Sequence, residues 1–261
     1  MKASFSAHRR THLHRAVMLA AAILCGCAPT LPSPEGDLGE HREATRPPGF
    51  PDALYRALGR GEPVYAIEPA RSLVVLEVRR AGRLARLGHD HVVASHDVQG
   101  YVAPDARRAD LFVRLDELVV DEEDLRNEAG FGARPPDAAV AGTRANMLGP
   151  VLHADRHPFA TIHVVAVDAG GDLDVAITLD GVTHASRVHA AITREGETIA
   201  ATGRFALDQT DFGITPLSVL AGAIQVQNRV DVRFAIRARQ ITRVATRRGA
   251  SPAYAYGPYG G

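Results

Sequence analysis

His89 and His91 stand at alternate positions, with His96 five residues further on, and this spacing suggests metal chemistry. On a strand, alternate residues face the same side about 6–7 Å apart at Cα, and imidazole rings at that distance can share a metal ion. A third ligand could come from one of five further histidines: His153, His157, His163, His184 and His189. The interpretation that we favour is a polar turn or barrel mouth, where the rings hydrogen bond to each other and to Asp90.

Signatures of other catalytic classes are not visible in the sequence. It contains no Ser-His-Asp signature, no P-loop and no dinucleotide-binding fingerprint, and Gly82, Gly88 and Gly100 do not form one. We therefore predict a protein that is not an enzyme and has no cofactor. A metal-binding protein or metal-dependent enzyme that uses His89 and His91 stays open as an alternative.

Lipid attachment is indicated by Leu24-Cys25-Gly26-Cys27, which resembles the bacterial lipobox. The uncharged residues 16–26 follow four basic residues and no acidic one, as in a secretory signal: Lys2, Arg9, Arg10 and Arg15. The alternatives are an ordinary secretory signal and a transmembrane anchor, but the apolar run is shorter than the roughly 20 residues that span a bilayer. The resemblance implies a diacylglycerol on Cys27, and Ala28 after it is typical of lipoproteins sent to the outer membrane. We therefore predict a cell-envelope protein anchored at the periplasmic face of that membrane.

The cysteine and charge content limit the possible partners. Both cysteines lie in the lipobox segment, so the rest of the chain has no disulfide and no cysteine metal ligand. Beyond residue 26 there are 26 basic and 30 acidic residues with no basic patch, so nucleic acid is not an expected partner. The oligomeric state is left undetermined by the sequence.

The chain divides into four segments. Residues 1–26 form the predicted signal, and residues 27–60 are rich in proline and charge and are predicted to be a tether, with a short helix over 52–58. The barrel domain is expected over 61–243. Residues 244–261 are rich in glycine and tyrosine and are predicted to be a disordered tail, although a segment that binds a partner stays possible.

The domain is predicted to be built from strands. Apolar residues alternate with more polar ones around residues 74–78, 111–115, 162–167, 173–179, 188–193 and 198–207. The clearest alternation covers 224–238 and indicates one long, half-buried antiparallel strand.

Turn signals separate these strands and indicate consecutive hairpins. Gly170-Gly171 and Glu195-Gly196-Glu197 have hairpin spacing. Consecutive hairpins favour an up-and-down barrel, which has no exposed edges. A helical interruption is expected between Pro136 and Leu152, with Asp137 as the N-cap. The predicted fold is therefore all-β with one short helical insertion, in an extended antiparallel β-barrel.

Whether the barrel interior is packed or holds a ligand is left open by the sequence, since small barrels do both. A solid barrel would favour an envelope protein that meets a partner through its outer face or tail. An open one would bind an apolar lipid. The residues predicted to line such a cavity are Val74, Leu76, Val78, Val113, Leu115, Ile162, Val164, Val175, Ile177, Leu179, Phe205, Leu207, Val230, Val232, Phe234 and Ile236.

Motifs in a fixed order resemble the YceI-like family of lipid- and polyisoprenoid-binding proteins. The segments that carry the resemblance are Tyr65-Ala66-Ile67-Glu68, Gly100-Tyr101-Val102, His157-Pro158-Phe159, Gly181-Val182-Thr183-His184 and Thr210-Asp211-Phe212-Gly213 followed by Val230-Asp231-Val232. The resemblance implies an extended lipocalin-like barrel with an apolar channel for an isoprenoid chain. It predicts non-enzymatic binding or carriage of such a lipid, with the membrane reached through the anchor on Cys27.

Overall fold

The structure is a computed structural model that describes residues 45–166 and 171–241. Its helices are α1 (Asp52–Leu58), α2 (Glu123–Ala129) and α3 (Asp137–Asn146), the last continued by one wide turn, Met147–Val151. Its strands are β1 (Tyr65–Ile67), β2 (Leu73–Ala81), β3 (His91–Ser95), β4 (Val98–Ala103), β5 (Arg108–Arg114), β6 (Val119–Val120), β7 (Phe159–Ala166), β8 (Asp172–Leu179), β9 (Val182–Glu195), β10 (Thr198–Asp208), β11 (Ser218–Val219) and β12 (Ile224–Gln240).

Eight strands close into an antiparallel barrel. Their order around the barrel is β1, β4, β5, β7, β8, β9, β10 and β12, and β12 also pairs with β1, which completes the ring. Closure satisfies the backbone groups that two exposed edge strands would otherwise leave unpaired. The predicted antiparallel barrel is therefore confirmed.

The barrel wall is extended along one side by β2, β3 and β6. Residues 225–235 of β12 pair with β2, β2 pairs with β3, and β3 pairs with β6. Residues 238–240 of β12 pair with β1, and a 3-10 turn at Pro69–Arg71 separates β1 from β2. β12 therefore joins the ring to its extension.

The long strand predicted over 224–238 is confirmed by β12. Val230 and Val232 are buried, whereas Arg229, on the opposite face of β12, is exposed. The alternation places apolar side chains inside the barrel and charged ones outside, because an unpaired charge in the interior would cost several kcal/mol. The pairing of β12 with β2 shifts register between Val226 and Val230, as at a β-bulge.

Gly100 on β4 is required by the close approach of β5. Its φ is +141°, and a Cβ atom there would lie 2.1 Å from the carbonyl oxygen of Asp110. No L side chain fits that space in that backbone conformation. This contact gives a physical reason for the glycine of the Gly100-Tyr101-Val102 segment.

The helices match the sequence predictions only in part. The short helix at 52–58 and the helical insertion after Pro136 are confirmed, while α2 was not anticipated. Asp137 is not the N-cap: Pro136 occupies that position, and the Asp137 carboxylate pairs with Arg134 at 2.5 Å.

The sequence analysis placed the start of the folded domain at residue 61, but packed structure begins earlier. Tyr55 of α1 is buried against Val64 and Ala103, in a segment that was expected to be tether. The predicted signal, the lipid site Cys27, the tail at 244–261 and the Gly170 half of one predicted turn lie outside the described residues. Among residues 45–166 and 171–241, no helix combines the length and apolar character needed to cross a membrane.

Candidate functional site

The barrel encloses a cavity of about 630 Å³ with a largely apolar wall. A volume of this size falls in the range typical of small-molecule sites, about 300–1,000 Å³. All sixteen residues predicted to line a cavity lie on this wall. The inward faces of strands β2, β5, β7, β8, β10 and β12 therefore leave space between them instead of meeting in a solid core.

Other parts of the wall were not anticipated from the sequence. They come from short strands and from segments outside strands, and include Val93, Val98, Met147, Val151 and Ile214. Val93 lies among consecutive apolar residues in β3, and Gly100 interrupts the face of β4 that carries Val98, so neither strand shows a clear alternation. Met147 and Val151 have helical spacing, but the sequence alone does not show that they face the barrel interior.

The cavity reaches both ends of the barrel. At one end its wall includes Arg80, His89 and Gln225, beside the β2–β3 turn; we call this the β2–β3 end. At the other its wall includes Arg107 and Arg108, beside the β4–β5 turn; we call this the β4–β5 end. Polar side chains therefore border an apolar interior at both ends, an arrangement that suits an elongated apolar ligand.

His91 lies on the cavity wall and is held from behind by a buried carboxylate. Its Nδ1 lies 2.6 Å from Oδ2 of Asp121, whose side chain is 0% exposed. The other oxygen, Oδ1, accepts hydrogen bonds from Arg126 at 2.6 Å and from the backbone N–H of Val92 at 3.1 Å. These contacts fix the orientation of the imidazole ring at the wall.

The ionisation of Asp121 follows from these neighbours. Burial alone would raise the pKa of its carboxyl, but the hydrogen bonds from His91 and Arg126 outweigh burial and hold the pKa below its ordinary value. Asp121 therefore carries its charge near neutral pH, balanced by Arg126.

The histidines do not gather around one point. The rings of His89 and His91 are 6.1 Å apart between centroids, and His91 bonds to Asp121 and not to Asp90, which instead accepts from the backbone N–H of Arg80. The six other histidines within the described residues each lie beside a carboxylate, and two of them share one: His96 faces Glu122, His153 and His157 face Asp180, His163 faces Asp110, His184 faces Asp211 and His189 faces Asp172. In the part of the chain that the structure describes, no three His, Cys, Asp or Glu side chains are placed to hold a metal ion.

Comparison with protein families gives a match to the YceI-like domain over residues 65–238, which is most of the described barrel. The chain belongs to the YceI-like family. The match begins at β1 and ends within β12, so it covers every strand of the closed ring.

The solved structures that match this YceI-like protein share little sequence with it. A polyisoprenoid binding domain from Saccharophagus degradans, implicated in plant cell wall breakdown, has a TM-score of 0.49 at 13% identity and covers 68% of this chain and 98% of that chain. BcnA from Burkholderia cenocepacia has a TM-score of 0.45 at 15% identity, covering 66% and 98%. A YceI protein from Campylobacter jejuni has a TM-score of 0.36 at 13% identity, covering 56% and 82%. A comparison with curated proteins found no match.

A second polar cluster fastens α1 to the outside of the YceI-like barrel. Asp110 of β5 accepts hydrogen bonds from Tyr55 at 2.7 Å, Arg108 at 2.6 Å and His163 at 2.8 Å. Burial alone would raise the pKa of Asp110, but its three donors together lower it. Burial, and then the neighbouring Asp110 carboxylate, raise the pKa of the Tyr55 hydroxyl, which therefore remains a donor. This cluster supports the β4–β5 end of the barrel.

Proposed function

We propose that this YceI-like protein binds one apolar lipid of the isoprenoid class inside its barrel and carries it without chemical change. The observation that supports this function most directly is the apolar cavity of about 630 Å³ within the domain. The family resemblance supplies the isoprenoid class. Each CH₂ group of a ligand removed from water contributes about 0.8 kcal/mol, so a long chain is retained without specific polar contacts.

The location that we propose is the cell envelope, with the barrel held to the periplasmic face of the outer membrane through a lipid on Cys27. The support is the lipobox resemblance of Leu24-Cys25-Gly26-Cys27. An anchor of this kind would keep the barrel beside a source of apolar lipid. No observation favours a metal enzyme at His89 and His91. The His91 ring contacts the carboxylate of Asp121, and the centroids of the two histidine rings are 6.1 Å apart.

The experiment that tests the function is native purification of the full chain from its membrane, followed by mass spectrometry of the extracted ligand and by metal analysis. A stoichiometric long-chain lipid is the expected result. A preparation that contains no lipid, and that does not take up an isoprenoid probe after delipidation, would contradict the proposal.

A matched pair of variants tests whether the lipid lies inside the barrel. Val232→Phe adds a ring on the cavity wall, whereas Ala235→Phe adds the same ring on the exposed face of β12. In a lipid-binding cavity, Val232→Phe should reduce the retained lipid and leave the delipidated protein about as stable as before. In a solid core the same change should cost about 1–3 kcal/mol of unfolding free energy. Ala235→Phe should change neither quantity.

A further inference from the structure

Two polar side chains meet on the cavity wall near the β2–β3 end. Nε2 of His91 and Oγ1 of Thr143, which projects from α3, lie 3.3 Å apart, and both residues line the cavity. The adjacent wall positions Val93 on β3 and Met147 after α3 are apolar, while Ser95 and Asn146 are further polar side chains on the wall. The pair therefore offers hydrogen-bonding groups at one place on a largely apolar wall.

The donor and acceptor roles at this pair follow from the groups behind it. Asp121 accepts at Nδ1 of His91, so in the neutral ring the proton is on Nδ1 and Nε2 is an acceptor. The Thr143 hydroxyl can both donate and accept. A ligand hydroxyl can therefore donate to Nε2 and accept from Thr143, replacing the long bond between the two side chains.

The surrounding charges favour a neutral ligand group over an anionic one. The charge of Asp121 behind the ring is balanced by Arg126, a residue that is 2% exposed. The Arg126 guanidinium also donates to the carbonyls of Asp90, Phe131 and Ala133. Other titratable groups at this end include His89, whose ring centroid is 6.1 Å from that of His91, and the ion pair between Arg80 and Asp90, at 3.7 Å. Arg126, the buried cation behind the pair, is therefore committed to Asp121 and to backbone carbonyls.

We infer that His91 and Thr143 form a subsite for a neutral hydroxyl at the head of the bound lipid. The chain of such a ligand, an isoprenoid alcohol or phenol, would extend from here along the apolar wall toward the β4–β5 end. This inference rests on the proposed function and names the chemical class of the ligand's polar end.

The experiment compares three probes on the delipidated full chain: geranylgeraniol, the hydrocarbon of the same chain length and geranylgeranyl phosphate. Their dissociation constants are measured by competition against one fluorescent apolar probe. We expect the alcohol to bind about three- to tenfold more tightly than the hydrocarbon, as one or two net hydrogen bonds imply. The phosphate should bind more weakly than the alcohol.

Variants at Thr143 provide the matched control. Thr143→Val removes the hydroxyl with little change of shape and should reduce the preference for the alcohol while leaving the hydrocarbon affinity unchanged. Thr143→Ser keeps the hydroxyl and should keep the preference. His91→Asn, which retains a donor to Asp121 but lacks Nε2, should act like Thr143→Val.

The outcomes separate this inference from the proposed function. Equal binding of alcohol and hydrocarbon by the wild type, or an unchanged preference in Thr143→Val, would overturn the subsite and leave lipid binding intact. Tighter binding of the phosphate would also overturn it. If none of the three probes binds, both the subsite and the proposed function are wrong.

A separate observation concerns the outer surface at the β2–β3 end. Two turns lie side by side there, residues 82–90 and 218–224, and the backbone N–H of Leu84 donates to the carbonyl of Ala223 at 2.8 Å. Each turn presents an exposed leucine: Leu87 is 60% and Leu220 is 68% exposed. Both turns also contribute to the cavity wall, so these leucines stand at the rim of the cavity.

The backbone at Leu220 adopts a conformation that is unfavourable for a residue with a side chain. Leu220 and Ala221 both have φ of +51°, in the left-handed region that residues with a Cβ disfavour. Strain of this kind is typical of functional positions. Here it fixes an apolar side chain in an outward direction.

The charge around these turns is positive. Residues 79–91 contain four arginines against one aspartate, Asp90, and residues 212–228 contain no charged side chain. Arg83 and Arg86 are exposed. Exposed apolar tips beside basic side chains have the composition of surfaces that bind anionic bilayers.

We propose that the β2–β3 end docks on an anionic lipid bilayer, with Leu87 and Leu220 entering the interface and Arg83 and Arg86 near the headgroups. Docking in this way would open the cavity toward the membrane. Vesicle binding at this surface does not require a ligand in the cavity, so it is independent of the proposed function.

The test uses the absence of tryptophan from the sequence. Leu87→Trp or Leu220→Trp gives a single emitter at the docking surface, and Val165→Trp gives a control at a 43% exposed position near the β4–β5 end. With phosphatidylglycerol vesicles the first two emissions should shift to the blue and the control should not. The shift should weaken at high salt and in an Arg83→Glu, Arg86→Glu background. Equal shifts at all three positions, equal shifts with phosphatidylcholine vesicles or no shift at all would overturn the docking proposal.

Discussion

Replacing Asp121 with asparagine should destabilise the barrel more than any exposed ion-pair change. The side chain of Asp121 is 0% exposed and that of Arg126 is 3% exposed, with 2.6 Å between Oδ1 and the guanidinium. Removing one charge of a buried pair leaves the other uncompensated and costs about 3–5 kcal/mol. Asparagine keeps the shape and an acceptor for Val92, so we expect about 3 kcal/mol, a large share of the 5–15 kcal/mol typical of domains.

Urea unfolding followed by circular dichroism measures this loss, and Asp174→Asn is the control. Asp174 pairs with Arg187 at 3.3 Å, with side chains 58% and 62% exposed, so its loss should cost less than about 1 kcal/mol. If Asp121→Asn costs no more than Asp174→Asn, the assignment of a charged, buried pair behind His91 is wrong.

The pH dependence of stability, compared between wild type and Asp121→Asn, provides a second check on the buried charge. Because the pKa of Asp121 is lower in the folded protein than in the unfolded chain, its charge stabilises the fold above the unfolded pKa of about 3.9. This stabilisation is lost as pH falls through the lower, folded pKa. The stability difference between wild type and Asp121→Asn should therefore be full near pH 7 and shrink in strong acid. A difference that grows on acidification would contradict the sign of the shift.

Three further changes test other parts of the molecule. Tyr55→Phe removes the hydrogen bond to Asp110 and should lower the unfolding free energy by about 1–2 kcal/mol in urea, whereas an unchanged value would mean that α1 is not fastened through this bond. Gly100→Ala should cost about 2 kcal/mol or more, because its Cβ meets the backbone of β5, and an unchanged melting temperature would refute that contact. Cys27→Ser should move the protein from the membrane fraction to the soluble envelope fraction; a wild type that is already soluble and carries no acyl mass would contradict the proposed anchor.

The local elements of the barrel were predictable because strand periodicity is written into neighbouring residues. The alternation from Ile224 to Ala238 identified β12 and its inward face without any knowledge of its partners, since water excludes the arginines from the interior. The alternation did not reveal β3 and β4, because apolar residues are consecutive in β3 and Gly100 interrupts the apolar face of β4. The helix α2 escaped prediction because Leu125 is its one large apolar residue, so no helical period shows.

Contacts between distant segments were not predictable. His91 was expected to bond with Asp90 beside it, yet its partner is Asp121, thirty residues further along the chain. That partner is set by the pairing of β3 with β6, which places the end of β6 beside His91. Tyr55 was likewise assigned to a tether. Its partner Asp110, which accepts a hydrogen bond from the Tyr55 hydroxyl, lies on β5, far along the chain.

The sequence by itself determined the strand pattern, the inward set of apolar residues and the family resemblance, because each of these depends on the types and spacing of nearby residues. Only the tertiary structure decided that the barrel closes through β12 and β1, that its interior keeps a cavity of about 630 Å³, and that His91 and Thr143 meet on the cavity wall. The physical reason is that a cavity is the volume left over when all strands have paired. It depends on the distances between facing walls, and no single segment of the chain contains that information.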